Sequence, residues 1–280
     1  MNIFSFFFPI KIKSSAKTDR GKKREQNEDS ILEDTKNHFY VVADGIGGHG
    51  RGDYASSQSI KIVEEYLFNS DTSSQTEMTS DQISQINFEN AADIGSNKYP
   101  QIKTLFHGLN LANQKIYSEN QNTKTDDEKK RGMGTTFSGC WFLEKQKKVI
   151  LFNIGDSRIY LLRNSKLIQR SHDHSMLQHW IDNGKQGKKP ASNIILRAIG
   201  PCEEIEVDIE LADIKRGDTW LICSDGLHGM LKNKTIEEFI NQRVSDKSLS
   251  NHANYANRLV DKANYAGGLD NVSAVIIHIM

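Results

Sequence analysis

The 280-residue chain holds only three cysteines and four prolines, and it carries no net charge, with 36 basic and 36 acidic residues. Cys140, Cys202 and Cys223 lie far apart and form no CxxC pair, which argues against a disulfide framework and against a thiolate zinc site. Each stands beside apolar residues and is expected to be a small buried core residue. A reducing cytoplasm is then the natural compartment. The zero net charge gives no reason to expect nucleic acid or an anionic membrane as the main partner. Long apolar runs are missing too. The run Ile3-Phe4-Ser5-Phe6-Phe7-Phe8-Pro9-Ile10 falls far short of the roughly 20 residues that span a bilayer. It also lacks the basic start and small-residue cleavage site of a signal peptide. It is expected to form an arm or strand over residues 1–16. No proline-rich or glycine–serine linker divides the chain and no fixed-period repeat is visible, so a single domain is expected over 17–280.

What is present is a succession of short apolar strands with few helices. His38 to Ala43 is β-branched and aromatic and halts at Asp44-Gly45, as a buried strand entering a tight turn does. A glycine-rich stretch leads into a helix expected over Tyr54–Leu67, with Ile60, Val63 and Leu67 on one face. From Asn69 to Lys103 the composition turns to Ser, Thr, Asn, Gln and Asp, the signature of a polar surface insertion. A second helix is expected over Thr104–Ser118, followed by a charged loop from Glu119 to Arg131. Thr135–Leu143 and Val149–Ile154, joined by a charged turn, read as a hairpin, and Arg158–Arg163 as a further strand. Trp220–Cys223 is a strand that again halts at an Asp-Gly pair. Thr235, with Glu238 three residues on, has the capping-box pattern of a helix start. A last helix over Leu249–Ala263 and a strand over Val272–Ile279 complete the chain. Strands in hairpins, rather than in strict alternation with helices, imply antiparallel sheets flanked by helices and not a doubly wound parallel sheet.

The chemistry is carried by position. Asp44, Asp156, Asp225 and Asp270 each fall at a strand edge beside a glycine, in Ala43-Asp44-Gly45, Gly155-Asp156-Ser157, Ser224-Asp225-Gly226 and Gly267-Gly268-Leu269-Asp270-Asn271. One Asp-Gly at a strand end is usually a turn former. Four such sites point instead to carboxylates aimed into a shared cleft. Converging carboxylates repel unless positive charge lies between them. A donor set of oxygen alone selects hard ions, Mg²⁺ or Mn²⁺, over zinc. Two such ions about 3.5–4 Å apart can bridge a hydroxide and hold a phosphoryl group for in-line attack. Upstream, Arg24-Glu25-Gln26-Asn27-Glu28-Asp29 offers a guanidinium fork for phosphate and two carboxylates able to hold metal-bound water. By itself that string is an ordinary charged turn.

In order, these strings resemble the metal-dependent protein phosphatase family, the type 2C serine/threonine phosphatases. The resemblance rests on Arg24 with Asn27-Glu28-Asp29, on Val42-Ala43-Asp44-Gly45-Ile46-Gly47-Gly48-His49, and on Gly132-Met133-Gly134-Thr135-Thr136. Gly155-Asp156-Ser157-Arg158, Asp173-His174-Ser175, Ser224-Asp225-Gly226-Leu227 and Gly268-Leu269-Asp270-Asn271 complete it, and the form DGIGGH is similar to the bacterial branch. The resemblance implies an α+β fold, a four-layer α-β-β-α sandwich of two antiparallel sheets flanked by helices. It implies that Asp44 bridges two metals, that the Gly45 carbonyl helps bind one, and that Asp225 and Asp270 complete the other site. Asp156, with Asp225, would hold a third and weaker ion. Arg24 would grip the substrate phosphate, and Glu28 and Asp29 would order metal-bound water. The implied reaction is hydrolysis of phosphoserine or phosphothreonine on proteins by a metal-bridged hydroxide, without a phosphoenzyme. Phosphorylated proteins are the implied partners, among them a serine/threonine kinase and its targets.

Two departures bear on this. Ile46 stands where other members of the family place a histidine proposed as general acid, so His49 or a metal-bound water has to protonate the leaving group. The flap expected over 174–197 is short, and its segment from Asp182 to Pro190 is basic. Other readings compete. Gly45 to Gly50 also fits GxGxxG between a strand and a helix, the dinucleotide-binding context. That motif requires a second strand ending in an acidic residue about 20 positions on, whereas Glu64 and Glu65 fall in the expected helix. Asp44 would also set a carboxylate against the pyrophosphate. The other alternative is a catalytically inactive member that only binds phosphoproteins. Such members lose a metal carboxylate, and here all the expected ones are present.

Overall fold

The layering follows from alternation along the strands. Phe39, Tyr40, Val41, Val42 and Ala43 are all buried, but Phe39, Val41 and Ala43 face one hydrophobic core while Tyr40 and Val42 face another. A strand buried on both faces has to lie inside a stack of layers, because its period of two sends successive side chains in opposite directions. The computed structural model describes residues 10–47, 51–69, 78–88, 98–122, 132–245 and 254–280.

In chain order, β1 (Ile12–Asp19), β2 (Ser30–Asp34), β3 (Phe39–Ala43) and β4 (Gly45–Ile46) precede α1 (Gly52–Phe68). Next come α2 (Ser80–Ser84), β5 (Ile86–Phe88), α3 (Pro100–Asn122), β6 (Gly134–Thr135), β7 (Phe137–Leu143) and β8 (Lys148–Ile154). Then follow β9 (Arg158–Arg163), β10 (Lys166–Gln169), α4 (Met176–Asp182), β11 (Val207–Asp213) and β12 (Thr219–Cys223). The chain closes with α5 (Asp225–His228), α6 (Asn233–Ser245), α7 (Tyr255–Tyr265) and β13 (Val272–Ile279). Five strands form one sheet in the order β1-β13-β12-β9-β10, six form the other in the order β2-β3-β7-β8-β11-β5, and β4 pairs with β6 in a small ribbon. Every pairing is antiparallel except the short parallel one between β5 and β11.

Three cores separate the layers. Tyr40, Val42, Phe142, Leu161, Trp220, Ile222, Val275 and Ile277 interleave between the sheets. Val63, Ile102, Leu105 and Leu109 of α1 and α3 pack on the outer face of the six-stranded sheet. Ile236, Ile240, Leu259 and Val260 of α6 and α7 cover the five-stranded one. This is the α-β-β-α sandwich that the family resemblance implies, with the antiparallel sheets and flanking helices expected from the hairpin pattern.

Several local expectations are corrected. The described parts of the segment 69–103 do not stand apart from the sheets: β5 pairs with β11, and Ile86, Tyr99 and Ile102 are buried. Isolated apolar residues in polar sequence had hidden this. α3 begins at Pro100, whose missing N–H and fixed φ suit the first turn of a helix, and it runs on through Glu119 to Asn122. α6 begins at Asn233, so Thr235 lies inside the helix and caps nothing. Cys202 is exposed rather than buried, because it sits in the loop ahead of β11, and Cys140 and Cys223 are buried as expected. The first turns expected of the last helix fall on residues 249–253, and most of the N-terminal run on 1–9, both outside the described residues. Residues 12–16 belong to β1, which pairs along its whole length with β13.

Trp220 is fully buried between the sheets and meets Phe142 edge to face at 6.3 Å between ring centres. Replacing Trp220 by alanine is expected to destabilise the protein by about 3–5 kcal/mol through lost contacts and a residual cavity. Urea denaturation followed by circular dichroism measures it, and a loss below about 1 kcal/mol would contradict this account of the central core.

Candidate active site

All four aspartates singled out above stand where a strand gives way to a turn. Asp44 separates β3 from β4, and Asp156 occupies the turn between β8 and β9. Asp225 opens α5 directly beyond β12, and Asp270 lies just ahead of β13. β3 and β8 belong to the six-stranded sheet, and β12 and β13 to the five-stranded one, so each sheet supplies two of the strands that place them.

Their electrostatics shows that they share one cleft. Asp44 titrates well above the usual carboxylate range, first because it is desolvated and then because of the negative charges of Asp29, Asp225, Asp156 and Asp270. Asp225 is raised by burial and by Asp270, and its carboxyl group hydrogen-bonds that of Asp44. Burial, with the charge of Asp225 behind it, pushes Asp156 up to about 7. Burial also pushes Asp29 up to about 7, although its Oδ2 accepts hydrogen bonds from Ser273 Oγ at 2.6 Å and Ser224 Oγ at 2.8 Å. Glu28 is raised by burial, opposed by the Gly52 N–H, which donates to its Oε1 at 3.3 Å. Among the described residues Arg24 is paired with this group, its Nη2 donating to Asp270 Oδ2 at 2.7 Å, and the charge of Arg158 acts on Asp156. The pair is 51% and 34% exposed, a setting in which water screens an ion pair and leaves it easily exchanged.

The backbone around these groups is fixed by neighbours distant in sequence. Asn271 accepts the Glu28 N–H at 2.9 Å and donates to the carbonyls of Arg20 at 2.9 Å and Gln26 at 2.8 Å. It thereby fastens the Arg24–Asp29 segment to Asp270. Thr136 Oγ1 accepts the Asp44 N–H at 2.9 Å, and its own N–H donates to the Asp44 carbonyl at 2.9 Å. Gly45 donates to the Glu28 carbonyl at 3.2 Å. A Cβ on Gly45 would lie 2.3 Å from the Gly52 oxygen and 2.5 Å from that of Glu28, so only glycine fits there.

The structure thus brings together Arg24, Glu28, Asp29, Asp44, Gly45, Asp156, Asp225 and Asp270. His49 lies outside the described residues. The structure also adds contacts to which the sequence assigned no role. His228 Nε2 donates to the Asp156 carbonyl at 3.1 Å, and burial drives the ring down to about 4, so it is neutral. The Gly155 N–H donates to His174 Nδ1 at 3.1 Å, which leaves Nε2–H to donate to Asp208 Oδ2 at 2.9 Å. Arg197 joins Asp208 at 2.9 Å, so the far end of the flap and β11 both reach the Asp156 turn through His174. Asp173 accepts the Arg158 guanidinium at 2.7–3.0 Å. No local pattern could have flagged Asp208 or His228, since their partners are 34 and 72 residues away. A cleft of about 660 Å³ runs beside Ile46, lined by Asn193 to Ala198 of the flap and by Pro201 and Cys202.

Oxygen is the sole donor type among the clustered acidic side chains. The buried Oδ1 atoms of Asp29 and Asp156 have no hydrogen-bond partner. Both features suit hard divalent cations. Among the described residues no three acidic, histidine or cysteine side chains form a closed cation cage: Asp270 is drawn to Arg24, and Asp44 to Asp225.

Comparison with known proteins agrees with this chemistry. Residues 18–261 match the family model "Protein phosphatase 2C". The chain is 32% identical over 273 residues to a serine/threonine phosphatase, stp, of Listeria monocytogenes serotype 4b, covering 93% of each chain. It is 31% identical over 274 residues to the protein phosphatase PhpP of Streptococcus pneumoniae serotype 2, covering 93% of this chain and 94% of the relative. Among solved structures, the catalytic domain of the serine threonine protein phosphatase PstP, in complex with two manganese ions, superposes with a TM-score of 0.72 at 27% identity, over 97% of this chain and 99% of that one. The chain belongs to the protein phosphatase 2C family and is a metal-dependent serine/threonine protein phosphatase of the bacterial type.

Proposed function

We propose that Asp44, Asp225 and Asp270, with the carbonyl of Gly45, hold two divalent cations, Mn²⁺ or Mg²⁺, and that Asp156 with Asp225 holds a third. Glu28 and Asp29 order the water of that centre, and Arg24 takes the phosphate of a phosphoserine or phosphothreonine side chain. The observation that carries this reading is the convergence of Asp29, Asp44, Asp156 and Asp225 in one desolvated cleft, where Asp29 and Asp156 each keep a buried Oδ1 without a hydrogen-bond partner. Such a group is stable in its ionised form only with positive charge among its members. Bound there, divalent cations supply a water of lowered pKa as nucleophile and neutralise the phosphoryl oxygens.

The chain's own residues set the geometry. Arg24 is poised on Asp270 by an exposed pair, and a substrate dianion competes for the guanidinium fork. A covalent intermediate on Cys140 or Cys223 is disfavoured: both are buried, burial pushes both thiols up, and Cys223 reaches about 12. His228 is committed to the Asp156 carbonyl and does not serve as a nucleophile. Direct displacement by water is the route these residues support.

The ester cleaved here has to be formed by phosphoryl transfer to a serine or threonine hydroxyl, so a serine/threonine kinase of the same cell is the opposing activity. We place both in the cytoplasm, consistent with three unpaired cysteines, one of them exposed. Among the described residues no helix is long and apolar enough to cross a membrane.

Turnover of a phosphothreonine peptide and of an aryl phosphate is expected in Mn²⁺ and to vanish with chelator. Asp44→Asn or Asp270→Asn should lower kcat at least about a hundredfold, with circular dichroism unchanged. Wild-type rates in either variant would refute the assignment. Arg24→Ala should act mainly on KM, raising it about tenfold or more, as loss of a charge-assisted hydrogen bond to substrate requires. An unchanged KM would remove Arg24 from phosphate binding.

A pH experiment tests the charge crowding itself. A carboxyl group raised in the folded state contributes stability below its unfolded pKa, and that contribution is lost as pH rises through the folded value. For Asp156 the window runs from about 3.8 to about 7. In chelator, Asp156→Asn should therefore gain thermal stability relative to wild type as pH rises across that window, and Mn²⁺ at pH 7 should reverse the difference. Parallel melting curves for the two proteins at every pH would contradict it.

A further inference from the structure

We propose that the basic turn from Arg20 to Arg24 selects phosphopeptides that carry acidic residues close to the phosphorylated one. The inference rests on the reading of the active site just given and specifies its substrate. Four of the five residues in Arg20-Gly21-Lys22-Lys23-Arg24 are basic, in a chain whose formal net charge is zero. Arg20, Lys22, Lys23 and Arg24 are all exposed. Among the described residues, neither Lys22 nor Lys23 has a carboxylate within ion-pair distance.

The turn is built onto the catalytic loop. Gly21 has φ +77°, and a Cβ there would lie 2.0 Å from the Asp270 carbonyl oxygen. The Lys22 N–H donates to the Gly268 carbonyl at 2.7 Å. Asp19 Oδ1 accepts from the Gly21 N–H at 2.9 Å and from Asn264 Nδ2 at 3.0 Å, fixing the entry to the turn. Asn271 holds the Arg20 carbonyl at 2.9 Å, and Arg24 reaches Asp270 at 2.7 Å. These contacts hold the lysines in one place relative to the aspartate that faces the phosphate-binding arginine.

Distance then sets the subsite. Lys22 and Lys23 follow one another directly before Arg24, at about 3.8 Å per residue, and an extended peptide advances about 3.4 Å per residue. A phosphate on Arg24 therefore brings side chains one to three positions away within reach of the lysines. Carboxylates or a second phosphate at those positions match the charge. Long exposed pairs are individually weak but act together, so a preference of about tenfold is expected, equivalent to ~1.4 kcal/mol.

The test compares kcat/KM of the Mn²⁺-loaded enzyme on a phosphothreonine peptide flanked by glutamates, on either side, with an alanine-flanked one. An aryl phosphate serves as the reference without a peptide. Wild type is expected to favour one glutamate-flanked peptide about tenfold, and 1 M salt, where screening acts within about 3 Å, should erase the preference. Lys22→Gln/Lys23→Gln should reduce it to within about twofold while leaving aryl phosphate turnover unchanged. Equal rates on all peptides, or a preference that survives in the double variant, would overturn the proposal. So would sedimentation of wild type, but not the variant, with phosphatidylserine vesicles alongside an unchanged peptide preference, since the turn would then serve a membrane. Absence of turnover on the aryl phosphate as well would overturn the reading of the active site, and this inference with it.

Discussion

Like charges held together in a desolvated cleft are the constraint on which the rest of this structure depends. Two unit charges 4 Å apart repel by about 4 kcal/mol at an effective dielectric constant of 20, a sizeable share of the 5–15 kcal/mol that stabilises a whole domain. Asp29, Asp44, Asp156, Asp225 and Asp270 nevertheless share one site. The fold relieves the strain in several ways at once. Asp44 and Asp225 share a hydrogen bond between carboxyl groups, Asp29 takes two serine hydroxyls, and Asp270 takes Arg24. Each device is partial, and Asp29, Asp44, Asp156 and Asp225 still titrate above the ordinary carboxylate range.

Such a cluster persists only if the scaffold cannot relax away from it. The sandwich provides that rigidity. The strands that end at Asp44 and Asp225 are buried on both faces, and the one ahead of Asp156 almost so. Retreat of any one carboxylate would pull Val42, Ile154 or Ile222 out of a filled core. Asn271 and Thr136 do the same for the loops, each holding backbone groups that adjoin a different carboxylate. The stability of the cores thus offsets the repulsion at their common edge, and the site gains in return a preorganised field that need not rearrange during the reaction.

Much of this was legible in the sequence because strand burial and glycine placement are local signals. The run from His38 to Ala43 ending in Asp44-Gly45 fixed a strand, its turn and a carboxylate together. The same held for Trp220 to Gly226, and four repetitions of the pattern marked carboxylates that the fold brings into one cleft. What stayed hidden depended on pairing across the chain. β5 is three residues long and is a strand only because β11 lies beside it. Polar composition around Ile86 argued for surface, and a single buried isoleucine left no periodicity to read. Thr235 with Glu238 offered a sound capping pattern, yet the helix runs from Asn233 across it, a case of tertiary context overriding a local preference. Asp208 and His228 are invisible for the same reason, since each acquires its role from a partner brought near by the sheets.

A site that gathers this many carboxylates also repels the substrate it is meant to hold, since a phosphate ester is a dianion near neutral pH. Divalent cations held by these carboxylates would answer that at the reacting phosphate, but not at the residues on either side of it. The zero net charge of the chain means that no general positive field draws a phosphoprotein in. Attraction has to be local, and the Arg20–Arg24 turn presents exposed basic groups whose backbone is tied to the site. The contacts that hold this turn to Gly268, Asp270 and Asn271 therefore do more than close a loop. They keep the charges of Lys22 and Lys23 at the edge of a negative cleft, where these can meet a peptide while Arg24 reaches in to Asp270.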